Sequence, residues 1–336
     1  MTNLPINQIL QGDCLEVLRN LPDESIDCVV TSPPYWALRD YGVDGQLGLE
    51  PTFQEYITKL CDIFDEVRRV LKKEGTCWVN IGDTYGGSGK GAGGYSDKST
   101  LAGFTSANTK GRRMAKESWN FEKAPKENGV AKCLSQIPSR FAIEMTNRGW
   151  ILRNEIIWHK PNCMPSSVKD RFTVDFEKVF FFVKSKKYAF NQQLEPYLHP
   201  VDRWGGETVR EYKGKYTKED GEKFNSPRAR NSRVGYPERQ RELRPNAEGK
   251  NKRTVWSINT KPLKEAHFAT YPEALIEPMI KAGCPVGGIV LDPFFGAGTT
   301  AVVALKQNKN YIGIELNPEY IKIAEARLSG LVTPLI

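Results

Sequence analysis

The chain has 336 residues, enough to bury a full core and more than a single domain usually holds, so one large domain with an insertion is expected. A formal charge of +8 favours a polyanionic partner. The seven cysteines (Cys14, Cys28, Cys61, Cys77, Cys133, Cys163 and Cys284) are scattered and contain no C-x-x-C pair, which speaks against a zinc site or disulfide framework and for reduced thiols in the cytoplasm. No apolar run reaches membrane-spanning length, and the N-terminal stretch lacks the basic-then-apolar pattern of a secretory leader.

Residues 6–12 read as a strand ending at Gly12-Asp13, and residues 14–21 as a short helix stopped by Pro22. Asp13 therefore stands at a strand's carboxyl end. It can cap the following helix, accept a hydrogen bond from the amino group of an adenine ring, or do both. Residues 26–30 form a β-branched apolar run, followed at once by Thr31-Ser32-Pro33-Pro34-Tyr35-Trp36. Two prolines can neither continue a ladder nor start a helix interior, so a stiff loop stands where open α/β sheets place their ligands. Ser32 and the Pro33 carbonyl can accept the two protons of an exocyclic amino group, and Tyr35 can stack on the ring that carries it. The alternative is a proline-rich turn whose aromatics are ordinary core.

Residues 53–73 are the longest helical pattern, with Tyr56, Ile57, Leu60, Ile63, Phe64, Val67, Val70 and Leu71 at helical spacing and Gly75 as the stop. Residues 77–82 are the next strand, which closes a βαβ unit with parallel pairing. Regular patterning is lost over 85–132, a glycine-rich stretch followed by Lys110, Arg112, Arg113 and Lys116. It reads either as a solvated loop or as a segment that orders over nucleic acid. Residues 137–148 read as a helix, and 152–158 and 177–183 as apolar strands. Trp158, at a strand end, is a candidate wall for a base pocket, with Lys160 beside it, while His159 reads as a structural hydrogen-bonder.

From 191 to 253 the period is lost again. Arg228, Arg230, Arg233, Arg239, Arg241 and Arg244 cluster there, with aromatics interleaved, which fits a surface that meets phosphates and base edges. Residues 255–258 resume regular structure and 272–282 are helical. Residues 288–292 form a strand that runs into the glycine-rich turn Pro293-Phe294-Phe295-Gly296-Ala297-Gly298, and Thr299-Thr300 open a helix. The strand 311–315 then ends in Glu315, about twenty residues on, where an acid can take both hydroxyls of a ribose. A last helix starts at Asn317-Pro318 and runs through Leu328.

The turn lacks the full G-x-G-x-x-G spacing, and Asp292 before it would repel a pyrophosphate, so a nicotinamide dinucleotide fits poorly. A ligand with an ammonium end, a ribose and an adenine fits better, as in S-adenosylmethionine. Residues 292–300 (Asp-Pro-Phe-Phe-Gly-Ala-Gly-Thr-Thr) resemble the cofactor motif of the DNA amino-methyltransferases, and residues 31–36 resemble their catalytic motif. The catalytic motif comes first and the cofactor motif last, which is similar to the β group of that family, as found in restriction–modification systems. Serine at the first catalytic position resembles the N4-cytosine type, whereas aspartate there goes with N6-adenine.

The resemblance implies a Rossmann-like α/β methyltransferase fold with circularly rearranged motif order: a mostly parallel twisted sheet, helices on both faces, and an inserted target-recognition region. The catalytic domain would comprise 1–190 and 254–336, with 85–132 as a flexible basic loop and 191–253 recognising DNA. S-Adenosylmethionine would be the cofactor, held by Asp13, Cys14, Thr31, Asp292, Pro293, Phe294, Gly296, Gly298, Thr299, Thr300, Glu315 and Leu316, and no metal is expected. Ser32, Pro33, Pro34 and Tyr35 would be catalytic. Trp36, Trp158, Lys160 and the six arginines would meet the substrate, double-stranded DNA. A cognate endonuclease is a possible partner, and the enzyme would act as monomer or homodimer. Rival readings are an N6-adenine methyltransferase of the same fold, an RNA methyltransferase and a non-catalytic DNA-binding subunit.

Overall fold

The computed structural model describes residues 4–37, 43, 45–86, 132–196, 249–261 and 271–331. The chain divides into two units, Met1–Asn191 with Thr254–Ile336, and Gln192–Arg253. The larger unit is built on one eight-stranded sheet. In chain order its elements are β1 (Gln8–Gln11), α1 (Cys14–Arg19), β2 (Ile26–Thr31), α2 (Phe53–Val70), β3 (Leu71–Ile81), α3 (Ile137–Asn147), β4 (Ile151–His159) and β5 (Phe176–Val183). The smaller unit holds β6 (Leu194–Glu195) and β7 (Lys250–Asn251), an antiparallel ribbon in which Glu195 takes both Lys250 and Arg253. The larger unit resumes with β8 (Val255–Ser257), α4 (Glu273–Gly283), β9 (Ile289–Asp292), α5 (Thr299–Lys306), β10 (Asn310–Glu315) and α6 (Pro318–Ser329).

The sheet order is β1-β10-β9-β2-β3-β5-β4-β8. Every pair is parallel except the two that involve β5. The central strands are buried on both faces, which explains their continuous apolar runs. Side-chain alternation feeds two cores. Phe180 and Phe182 of β5 join Phe141 and Trp150 on the face covered by α1, α2 and α3, while Phe181 lies flat on Trp78, 3.9 Å between ring centroids, on the face covered by α4, α5 and α6.

Helix α2 starts at an N-cap, in which Thr52 Oγ1 accepts from Glu55 N at 3.1 Å. It ends at Val70, earlier than the period predicts, and Gly75 is not its stop. Leu71 has already turned to extended backbone and pairs with Ile26, and a Cβ on Gly75 would stand 2.6 Å from the Leu71 side chain. Leu71 is fully buried, so joining the sheet satisfies the apolar residue that helical spacing alone assigned to α2.

This topology fixes the site. β2 comes from the start of the chain and β9 from its end, yet they are neighbours, with Cys28 opposite Val290 and Val29 opposite Leu291. The loops that follow them leave the same edge of the sheet. Strand β5 runs the other way, so its first residues reach that edge too, where Lys178 pairs with Ile81 at the end of β3.

Candidate active site

The two loops are bonded to each other. Thr31 Oγ1 donates to Asp292 Oδ1 at 2.6 Å. Asp292 is wholly buried and accepts three further hydrogen bonds, from Phe294 N at 3.1 Å, Thr300 Oγ1 at 2.6 Å and Tyr271 Oη at 2.8 Å. Burial pushes its carboxyl up, and these donors pull it back. Asp292, expected beside the cofactor, therefore serves as a latch that draws β2, β9, α5 and Tyr271 together. Thr31 and Thr300, from the same expected set, spend their hydroxyls on that latch. Thr299 accepts from Arg327, which also donates to the Ala297 carbonyl, and Pro293 is buried.

Within the turn, Phe294 and Gly296 keep solvent access. Gly296 has φ +53° and a Cβ added to it would meet nothing within 4 Å, so an open space borders the backbone there. Gly298 caps α5 with φ +76° and no side-chain hydrogen bond, which leaves N–H groups at the helix start for a ligand. Glu315 closes β10, accepting from Gly296 N at 2.7 Å and Asn317 N at 2.8 Å, and burial raises its carboxyl. Gln11 pairs with Glu315, so Asp13 lies two residues beyond the same edge. Asp13 Oδ1 caps α1 through Leu15 N and Glu16 N, at 2.9 and 3.1 Å. Leu316 is half-buried, while Cys14 is buried and its thiol is pushed up to about 12. An open glycine turn, an uncapped helix start and strand-end carboxylates fit a nucleoside with a polar tail.

Beside this cradle, the catalytic loop is held from below. Tyr56 Oη donates to the Pro34 carbonyl at 2.8 Å, and no described residue donates to that of Pro33. The Tyr35 ring packs on Gly82, where any Cβ would stand 2.6 Å from Cε2. Tyr35 Oη donates to Glu177 Oε2 at 2.6 Å, and Asn80 Nδ2 reaches both Tyr35 Oη and Glu177 Oε2 at 2.8 Å. Ser32 Oγ donates to Tyr35 Oη at 3.4 Å. Lys160 Nζ pairs with Glu177 Oε1 and stands 4.4 Å from the Trp158 ring centroid.

Two expected substrate contacts are packed into the cores. Trp36 is buried against Phe53 and donates Nε1 to the Glu50 carbonyl at 3.0 Å. Trp158 is buried and donates Nε1 to the Ile258 carbonyl at 2.8 Å. Both are large apolar side chains at a strand edge, and the structure spends them on packing. His159 contacts Ser257 Oγ at 3.0 Å. Arg228, Arg230, Arg233, Arg239, Arg241 and Arg244 lie outside the described residues, as does most of 85–132. Sequence reasoning missed Asn80, Glu177 and Tyr271. Asn80 carried a signal, since it is a lone polar residue within the apolar run from Cys77 to Ile81, whereas Glu177, beside Lys178 and close to Asp175, and Tyr271 carried none.

Among known proteins, the N6/N4 methyltransferase family model, described as DNA methylase, matches residues 26–326. The type II methyltransferase M.Cfr9I of Citrobacter freundii is 42% identical over 330 residues, 98% of this chain and 89% of its own length. M.SmaI of Serratia marcescens, another type II methyltransferase, is 39% identical over 328 residues, 97% of this chain and 92% of its own. Among solved structures, PvuII DNA methyltransferase (cytosine-N4-specific) has the same fold, with a TM-score of 0.58 at 19% identity over 99% of this chain and 89% of that one. With the two motifs latched at one sheet edge and these relatives aligned nearly end to end, the chain belongs to the β group of the DNA amino-methyltransferases, enzymes that carry a methyl group from S-adenosylmethionine to DNA.

Proposed function

We propose that the chain methylates the exocyclic N4 nitrogen of cytosine in duplex DNA, as the modifying enzyme of a restriction–modification system. One observation carries this reading: a serine hydroxyl, Ser32, heads the catalytic loop at the position where a carboxylate goes with adenine. S-Adenosylmethionine supplies an electrophilic sulfonium methyl. The chain's own work is to make the target nitrogen reactive and to align it. Ser32 Oγ and the Pro33 carbonyl accept the two amino hydrogens, which favours a tetrahedral nitrogen whose lone pair is withdrawn from the ring. Most of the acceleration then comes from alignment and charge placement; the nitrogen takes the methyl directly, with no covalent enzyme intermediate, as the carbon–sulfur bond breaks, and the methylated nitrogen gives up one proton to solvent.

The target base is flipped out of the duplex at a cost of about a few kcal/mol, and stacking on Tyr35 returns about 1–3 kcal/mol. Glu315 receives the ribose hydroxyls, with Asp13 on the adenine side. Residues 191–253 recognise the DNA through their arginines. A cognate endonuclease cuts the unmodified site. The test is to express the wild type and Ser32→Ala in a host without DNA methylation and to digest the DNA to nucleosides. N4-Methylcytosine with the wild type and its loss in the variant are expected, and N6-methyladenine would overturn the base assignment.

A further inference from the structure

Ser32 poses a problem of sense. A hydroxyl both donates and accepts. A freely turning Ser32 would greet the amino group of cytosine and the keto oxygen of uracil equally well. The cluster around it removes that freedom. Tyr35 has one hydroxyl proton, and at 2.6 Å it goes to Glu177 Oε2, which can only accept. Burial and the Glu177 charge push the Tyr35 phenol well above its usual range, so that proton stays in place. Tyr35 Oη is left with lone pairs, and these receive Asn80 Nδ2 at 2.8 Å and the Ser32 hydroxyl at 3.4 Å. The Asn80 amide is oriented by the same carboxylate, because its oxygen could not sit 2.8 Å from Glu177 Oε2. Lys160, which cannot accept, holds Oε1. Asn80 Nδ2 also donates to Ser32 Oγ at 3.4 Å, so with its own proton turned to Tyr35 the Ser32 hydroxyl keeps one lone pair, and no proton, for a ligand. Asn80 Oδ1, buried and without a partner among the described residues, is a second acceptor in want of a donor.

We propose that Glu177, acting through Tyr35, fixes Ser32 as a hydrogen-bond acceptor and so makes the target pocket select an amino-bearing base over its keto counterpart. Glu177 is then a positioning residue that never touches the base. The inference rests on the amino-methyltransferase reading but not on which amino base is the target, because adenine and hypoxanthine differ in the same way as cytosine and uracil.

The test uses the full-length enzyme with S-adenosylhomocysteine and duplexes that carry the site found by sequencing modified host DNA. The target base is cytosine or uracil (adenine or hypoxanthine if the product is N6-methyladenine), and affinity is read by fluorescence anisotropy at fixed salt. In Glu177→Gln the amide oxygen turns to Lys160 and its nitrogen to Tyr35, which frees the phenolic proton for Ser32. The preference for the amino base should fall about tenfold, the worth of one neutral hydrogen bond. Glu177→Asp should restore it, and Tyr35→Phe should lose it. Unchanged thermal midpoints and cofactor affinity would keep folding out of the result. A Gln variant with the wild-type preference would overturn the proposal, as would equal losses in Gln and Asp or a wild type without preference. Failure of the underlying reading shows separately, as the absence of any methylated nucleoside.

Discussion

Thr31→Val removes one hydroxyl and little else. Valine keeps the shape and the β-branched strand preference of threonine. Thr31 is 1% exposed, and its hydroxyl makes the one contact, at 2.6 Å, that ties the catalytic loop to the buried Asp292 carboxylate. A hydrogen bond to a charged group is worth about 1.5–3 kcal/mol, and Asp292 Oδ1 would keep only the longer bond from Phe294 N at 3.1 Å. Urea unfolding followed by circular dichroism should therefore show a loss of about 1.5–3 kcal/mol with an unchanged slope. In a cycle with Asp292→Ala, which removes the acceptor altogether, the double variant should lose clearly less than the two single losses added together, because both break the same bond. A cost under about 0.5 kcal/mol with additive singles would refute the latch.

Other expectations follow from the same geometry. Tyr35→Ala should cut single-turnover methyl transfer by about tenfold to a hundredfold through lost stacking while cofactor binding holds, and unchanged turnover would take Tyr35 out of the pocket. Glu315→Ala should weaken S-adenosylmethionine binding by about tenfold or more in calorimetry, whereas equal affinity would place the ribose elsewhere. Burial raises the Asp292 carboxyl, so its share of stability is whole below about pH 3.9, the ordinary aspartate value, and fades as pH rises through the raised folded value. The stability of the wild type minus that of Asp292→Asn should be greater at about pH 4 than at about pH 8, and the opposite trend would contradict the sign. Alanine at Arg228, Arg230, Arg233, Arg239, Arg241 and Arg244 should weaken DNA binding and flatten its salt dependence without touching cofactor affinity. Unaltered gel shifts at fixed salt would move recognition out of 191–253.

The parts of the site that were legible in the sequence are those that one segment writes alone. A strand, two prolines and a tyrosine announce a stiff loop at Ser32, and a strand, glycines and a helix start announce the turn at Gly296. Their adjacency was legible only as family motif order, and the pairing of β2 with β9 now gives it a physical basis. What could not be read arises from pairing across the sheet. Glu177 reaches the pocket because β5 runs antiparallel and starts where β3 ends, a fact that its own neighbourhood does not record. Asp292 looked like a ligand for a positive charge because two of its four donors, Thr31 and Tyr271, come from other parts of the chain. Trp36 and Trp158 look the same in sequence whether they line a pocket or fill a core, and here two backbone carbonyls and the packing decide.

Both ends of the polypeptide build one shared site. A crystal structure with S-adenosylhomocysteine tests it most directly. The ribose hydroxyls should lie on Glu315, the backbone of the Gly296 turn should border the ligand, and the sulfur should face Ser32 and the Pro33 carbonyl. A ribose held by another carboxylate, or a sulfur turned away from Ser32, would contradict it.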